Sequence, residues 1–233
     1  MVIALSQLVY AWPGQPVVLQ IDSLELDAGR SLFVGGASGS GKSSLLALLS
    51  GVVLPISGEC RVLGQSMAAL SGVARDRLRA DTMGIVFQQF NLLPYLSMID
   101  NVLLPTRVSV PRARQATALS GSPAQQAKDL LERLGLAQLS PATPVHHLSV
   151  GQQQRVAVAR AFMGKPELVI ADEPTSALDD DNRDLFLELM MDLAREHQTS
   201  VVMVSHDRRL AERFDQQLWL GLPSTARSQG AAT

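Results

Sequence analysis

A chain of 233 residues with 46% hydrophobic content is long enough to bury one sizeable core, or a core with a subdomain, and this composition excludes a fibre or a disordered chain. Its 22 acidic residues against 20 basic ones give a formal charge of -2, so no overall pull toward nucleic acid is expected. The single cysteine, Cys60, excludes an internal disulfide, and no Cys/His spacing around it suits a metal, which fits a reducing cytoplasm.

From Met1 to Val9 the chain lacks the basic start and small-residue cleavage site of a secretory signal and runs into strand-like sequence, so we read a mature intracellular start. Apolar runs bounded by turn residues predict strands at Val17–Leu26, Ser31–Gly35, Met83–Phe87, Leu168–Ala171 and Val201–Val204. Helical periodicity predicts helices at Lys42–Ser50, Gln152–Phe162, Asp181–Glu196 and Asp207–Phe214, and the alternation gives an α/β core. Between Leu92 and His147 strand signals stop. Two helices are predicted there, about Met98–Leu104 and Pro123–Leu134, joined by Pro105–Ser122, which is rich in Arg, Ser, Ala and Thr and is expected to be a mobile surface loop. The small, polar tail from Ser224 to Thr233 is expected to be disordered. Two stretches free of charge, Ser43–Gly58 and Met83–Ile99, fall short of the ~20 apolar residues a bilayer requires, so membrane contact has to come through a partner.

The strand Ser31–Gly35 runs into Gly36-Ala37-Ser38-Gly39-Ser40-Gly41-Lys42-Ser43, a G-x-x-x-x-G-K-S loop that opens the apolar helix Ser44–Leu49. Small residues let backbone N–H groups turn onto phosphate oxygens, and the helix N-terminus adds a partial positive charge. Lys42 is expected to reach the β and γ phosphates of ATP, and the Ser43 hydroxyl to ligate Mg²⁺. The expected nucleotide-lining set runs from Gly36 through Ser44. After the apolar strand Leu168-Val169-Ile170-Ala171 come Asp172, which suits Mg²⁺ held through water, and Glu173, which suits a general base for the attacking water. An ordinary Asp-Glu-Pro strand end in a solvated turn is the competing reading.

Leu148-Ser149-Val150-Gly151-Gln152-Gln153-Gln154-Arg155 precedes the helix Val156–Phe162, and here the chain resembles the ABC ATPase family, whose signature is L-S-G-G-Q. Val150 departs from that pattern, while Ser149, Gly151 and Gln152 keep it. Ser149 and Gln152 also satisfy an S-x-x-Q capping box, so a well-capped helix and an anion site are both open readings. The resemblance extends from Tyr10 to His206 in family order. It implies that Gln88, with Gln89 as neighbour, contacts Mg²⁺ and the attacking water. It also implies that Ser176-Ala177-Leu178-Asp179 is the D-loop crossing between subunits, with Asp179 near nucleotide, and that His206 bonds the γ-phosphate. His146, His147 and His197 remain solvated or structural. Tyr10 resembles the aromatic that stacks on adenine, with Trp12 as its rival and core packing as the alternative for both.

The resemblance implies a P-loop NTPase, RecA-like core with an antiparallel β subdomain and an inserted α-helical subdomain. The core would comprise residues 1–90 and 160–222, with the helical subdomain at 91–159 and a disordered tail at 223–233. It further implies an ATPase subunit of a transporter that pairs head to tail with a second ATP-binding subunit, sandwiches two ATP, and docks on integral membrane permease subunits at the cytoplasmic face of the inner membrane. No nucleic acid partner is expected. Phe87–Tyr95 and Gly151–Ala161 look like the branch serving lipoprotein release, macrolide or peptide export, and the related cell-division pair. Two competing classes are a soluble ABC ATPase acting on DNA or ribosomes and a regulatory subunit without turnover. The first is disfavoured because no coiled-coil arm, zinc module or second cassette is visible, the second because Glu173 and His206 are both present.

Overall fold

The computed structural model describes residues 1–176, 180–221 and 227–230. It divides into two compact units, Met1–Arg79 with Ser200–Thr233, and Ala80–Thr199.

In the first unit, β1 (Ile3–Ala11) and β2 (Val17–Leu26) pair antiparallel, β1 also pairs with β4 (Ser57–Val62), and β5 (Gln65–Ser66) completes a sheet of order β2-β1-β4-β5. Strand β1 changes face midway. Ile3 and Leu5 are buried, then Leu8 and Tyr10, because Gln7 takes a left-handed φ of 46° and the pairing with β4 is interrupted between Ser6 and Val9. The left-handed residue costs about 1–2 kcal/mol, whereas burying Leu8 alone stabilises by about 1.5–3 kcal/mol, so burial decides. Gly58 makes room for the bulge, since a Cβ there would lie 2.1 Å from the Gln7 carbonyl oxygen.

The same unit holds β3 (Ser31–Gly36) between β8 (Ser200–Ser205) and β9 (Gln216–Leu220), both parallel to it, with β10 (Arg227–Gly230) antiparallel on β9. Leu32, Phe33 and Val34 and the whole of Val201–Val204 are buried, as strands covered on both faces require. β10 corrects the expected disorder of the tail at residues 227–230: an extended run pairs its backbone with the edge of β9, Ser228 opposite Leu218. Asp215 ties the start of β3 to that of β9 by accepting from Ser31 N (2.8 Å), Ser31 Oγ (2.7 Å) and Arg30 Nη1 (2.9 Å). The segment expected as a helix at Asp207–Phe214 is a 3₁₀ turn, Arg208–Arg213, capped by Asp207, because the connection between β8 and β9 is too short for a longer helix. Helix α1 (Lys42–Leu49) lies on the apolar strands, and Cys60 is buried beneath it, its thiol 3.7 Å from the Leu48 carbonyl. Burial, then the neighbouring Glu59, pushes that thiol up to about 12. A helix absent from the sequence reading, α2 (Gly72–Thr82), buries none of its residues and is fastened by arginines: Arg75 donates to Leu70 O (2.6 Å) and Arg79 to Ser50 O (2.6 Å).

The second unit contains β6 (Met83–Val86), α3 (Met98–Val108), α4 (Val110–Ser120), α5 (Pro123–Arg133), α6 (Val150–Phe162), β7 (Leu168–Asp172) and α7 (Asp180–His197), with β6 and β7 parallel. The expected loop Pro105–Ser122 is corrected to helix. α3 continues through Pro105, whose carbonyl accepts from Ser109 N (3.0 Å), and α4 then starts on a Ser109 cap with Pro111 in its first turn and ends at Gly121 with φ 77°. A proline in the last turn of one helix followed by a cap two residues before another proline marks a helix restart rather than a loop. Arg112 of α4 is only 4% exposed and donates to three carbonyls, Ala161 O (2.7 Å), Met163 O (2.8 Å) and Met83 O (3.0 Å). Desolvation lowers its pKa to about 10, with nearby Asp81 opposing the shift, so it remains charged. Among the described residues no helix is long and apolar enough to cross a membrane.

Candidate functional site

In the first unit the buried strand β3 delivers Gly36 to a loop that closes on the N-terminus of α1. Gly41 caps that helix at φ 94°, a left-handed geometry only glycine adopts without strain, and no acidic residue in the first turn offsets the positive helix end. Lys42 is buried, and its Nζ donates to the carbonyls of Gly36 (2.8 Å) and Ala37 (2.9 Å), which hold the ammonium at the mouth of the loop. Ser40 Oγ is buried at 3% residue exposure without a hydrogen-bond partner. An unpaired buried hydroxyl, a buried ammonium and an unneutralised helix end within one loop are chemistry that a phosphate oxyanion fits. Ser43 is exposed at the start of α1 and offers the hard oxygen that Mg²⁺ takes.

His206 follows β8, and the parallel register pairs Gly35 with Ser205, so the exposed His206 leaves its strand level with the start of the loop. The two aromatics expected as candidates for adenine differ in exposure. Tyr10 is only 4% exposed, and its ring meets Trp12 edge to face at 5.3 Å between centroids, so it has no free face for adenine. Trp12 is 44% exposed, and its Nε1 donates to Ser44 Oγ (3.1 Å), which moors the indole to the first turn of α1. Of the two aromatics expected as candidates for adenine, Trp12 is the one that keeps an open face. The bulge at Gln7 is the cause, because it turns even-numbered positions of β1 inward. Buried Ser44 is occupied by that indole bond and supports the site from behind.

In the second unit the register Val86 with Ala171 brings the ends of β6 and β7 level, so Gln88, Asp172 and Glu173 emerge at one edge. Gln88 is exposed, while Asp172 and Glu173 are half-buried. Glu173 takes a left-handed φ of 43°, and the turn it begins is closed by Ser176 N donating to Glu173 O (3.2 Å) and by buried Gln154, whose Nε2 donates to the Pro174 carbonyl. A strained non-glycine residue persists only where its surroundings over-determine it. The turn after Gln88 is similar: Phe90 (φ 60°) and Asn91 (φ 48°) are both left-handed. Gln89, the neighbour of Gln88, is exposed, and its carbonyl accepts from Asn91 N (2.6 Å).

The capping box at the signature is present in full: Ser149 Oγ accepts from Gln152 N (3.3 Å) and Gln152 Oε1 accepts from Ser149 N (2.9 Å). Val150 occupies the first helical position without positive φ, and its side chain is 51% exposed, so replacing the family's glycine creates neither strain nor a buried clash. An open polar depression of about 470 Å³ adjoins this helix start, lined by Ser149, Val150, Gly151, Gln152, Gln138 and Arg155. Ser176 is exposed, and the remainder of the expected D-loop, Asp179 included, lies outside the described residues. Reading by motif passed over Gln154 and Arg160, whose partners are far along the chain; only their place on the same helix as the signature marks them.

The profile of the ABC transporter family matches residues 19–176, well over half of the chain. This chain belongs to the ABC transporter family. A lipoprotein-releasing system ATP-binding protein LolD of Xanthomonas euvesicatoria pv. vesicatoria is 43% identical over 201 residues, covering 85% of this chain and 79% of that protein. An uncharacterized ABC transporter ATP-binding protein, YbbA of Escherichia coli K12, is 43% identical over 197 residues, covering 84% and 83%. Among solved structures, the dimeric MJ0796, a bacterial ABC transporter cassette, superposes with a TM-score of 0.82 at 28% identity, covering 99% of both chains. A post-hydrolysis dimer of the same cassette, bound to ADP and Pi, gives 0.82 at 30% identity, again over 99% of both. The ABC cassette fold, with its antiparallel sheet and its parallel strands, and the class of ATP-hydrolysing transporter subunit follow for this chain.

Proposed function

We propose that this ABC ATPase works as a head-to-tail homodimer that sandwiches two ATP and drives a membrane permease, in export or lipoprotein release, from the cytoplasmic face of the membrane. One observation carries the reading: a single chain holds two helix starts built for phosphate, the loop before α1 and the Ser149 cap of α6, one in each unit. Two solved structures of the MJ0796 cassette, which match over 99% of both chains, are dimers. Lipoprotein release is suggested by relatives of that name, and the permease and its membrane position follow from that suggestion.

In this reading Trp12 stacks on adenine, and Lys42 exchanges the carbonyls of Gly36 and Ala37 for β and γ phosphate oxygens. Ser43, Gln88 and Asp172 would hold Mg²⁺, whose charge offsets that of the β and γ phosphates when it is bound. Glu173 accepts the proton of a water aligned by Gln88. That water attacks the γ phosphorus, the bond to the β-phosphate oxygen breaks, and His206 steadies the γ oxygens. Ser149, Gly151 and Gln152 of the second copy close the site, with Asp179 near the junction. ATP then binds the two copies together, and hydrolysis releases them.

Glu173→Gln removes the base and keeps the shape. ATP affinity is expected to stay within about twofold while turnover falls by roughly a hundredfold or more, and an ATP-dependent dimer accumulates on size exclusion. An unchanged ATPase rate would sink the base assignment, and a monomer at saturating ATP would sink the sandwich.

A further inference from the structure

The left-handed turn at Phe90 and Asn91 follows Gln88 by two residues and contains no glycine, so something outside the turn has to hold it. Arg160, on α6, does so. Its Nη2 donates to Phe90 O (2.5 Å) and its Nη1 to Asn91 O (2.7 Å), one forked guanidinium spanning two successive carbonyls. Planar, divergent N–H donors fix the direction of both carbonyls, which a point-charge ammonium cannot do. Burial of the guanidinium pulls its pKa down.

The mount behind Arg160 is rigid. At the next residue α6 touches β6 backbone to backbone, because a Cβ on Gly84 would lie 2.2 Å from Ala161 O. Arg112 then fastens the same end of α6, through Ala161 O and Met163 O, to the first carbonyl of β6, Met83 O. With helix and strand locked at one end, the Arg160 fork determines how the chain leaves the other end of β6, where Gln88 stands. At 1.5 Å per residue, the eleven steps from Ser149 to Arg160 put the fork about 16 Å along the helix that the signature caps.

We propose that Arg160 is a positioning residue: it holds the left-handed turn at Phe90 and Asn91 and so fixes where Gln88 stands relative to the signature helix during turnover. This rests on the role given to Gln88 above. Arg160 itself meets no substrate. Its loss misplaces Gln88 while leaving the phosphate loop and Trp12, which belong to the other unit, as they are.

The test is steady-state ATPase of the full chain, with ATP affinity and Tm measured beside it. Arg160→Gln is expected to lower kcat by about tenfold to a hundredfold with KM within about twofold. Arg160→Lys, lacking the fork, is expected to recover only a minor part of the loss. The decisive variant is Asn91→Gly, which adopts positive φ without strain. Alone it is expected to leave kcat near wild type, and in the Arg160→Gln background to restore a large part of it. A loss of packing alone would not respond to a glycine in the turn. Absence of rescue, full activity of Arg160→Lys, or a KM that rises as kcat falls would each overturn the brace. Wild-type turnover in Gln88→Ala, beside a rescued Arg160→Gln defect, would instead remove Gln88 from the reaction and leave the brace standing.

Discussion

The two units secure their working residues by different means. In the first, the groups proposed to face phosphate are fixed by the backbone within one short loop: Gly41 at positive φ, Lys42 on the carbonyls of Gly36 and Ala37, and a helix start immediately after. In the second, the turns that carry Gln88 and Glu173 are held by side chains reaching across tens of residues, Arg160 to Phe90 and Asn91, Gln154 to Pro174, with Arg112 behind them. A site built by backbone survives changes elsewhere in the chain and is damaged only by changes within itself. A site built by long side chains can be altered from far away.

The contrast is broken most severely at Lys42. Lys42→Ala removes the only ammonium of the loop and its charge-assisted bonds to phosphate, so ATP affinity is expected to fall on the order of a thousandfold in a calorimetric titration, with Tm little changed. In the second unit the corresponding blow falls on stability. Arg112→Met removes three buried hydrogen bonds, at a cost of about 3 kcal/mol, so ligand-free Tm is expected to drop by roughly 6–12 °C while ATP affinity holds. An unchanged Tm would mean that side chains are not what keeps this unit together.

The two aromatics sharpen the comparison inside the first unit. Trp12→Ala is expected to weaken ATP binding by about tenfold with little effect on Tm, through lost stacking, whereas Tyr10→Ala is expected to destabilise by about 3 kcal/mol with near-normal affinity. The reverse pattern would restore Tyr10 as the adenine contact. The smallest effect concerns acid. Burial raises the Asp215 carboxyl, but the bonds from Ser31 and Arg30 outweigh it and hold it below the usual carboxylate range. A folded-state value below the unfolded value of about 3.9 means that this stability is present above that pH and is lost as pH falls through the folded value. Asp215→Asn is expected to flatten the acid limb of Tm against pH, and an unaltered limb would count against the assignment.

The same contrast explains what could be read without coordinates. The phosphate loop, the Asp172-Glu173 strand end and the Ser149 capping box are each written within a few consecutive residues, and each has the local structure its spacing demands. The burial of Tyr10 was not legible because a strand's inside and outside are counted by twos, and the left-handed Gln7 resets the count where no glycine or proline announces it. Pro105 misled because a proline in the last turn of α3 looks like a terminator, while the true restart lies in Ser109 and Pro111. β4, β9 and β10 are short and mix polar with apolar residues, so their pairing depends on neighbours distant in sequence. Arg160 has no local pattern at all, since its two acceptors are backbone atoms some seventy residues away.

Cys60 gives the protein a stopwatch. A lone thiol sealed under α1, with its ionisation pushed to about 12, is silent toward alkylating reagents at neutral pH while the first unit stays closed. Any labelling that occurs therefore times the opening of that unit, and its slowing by added nucleotide would report the hold of ATP on the phosphate loop without a probe being introduced.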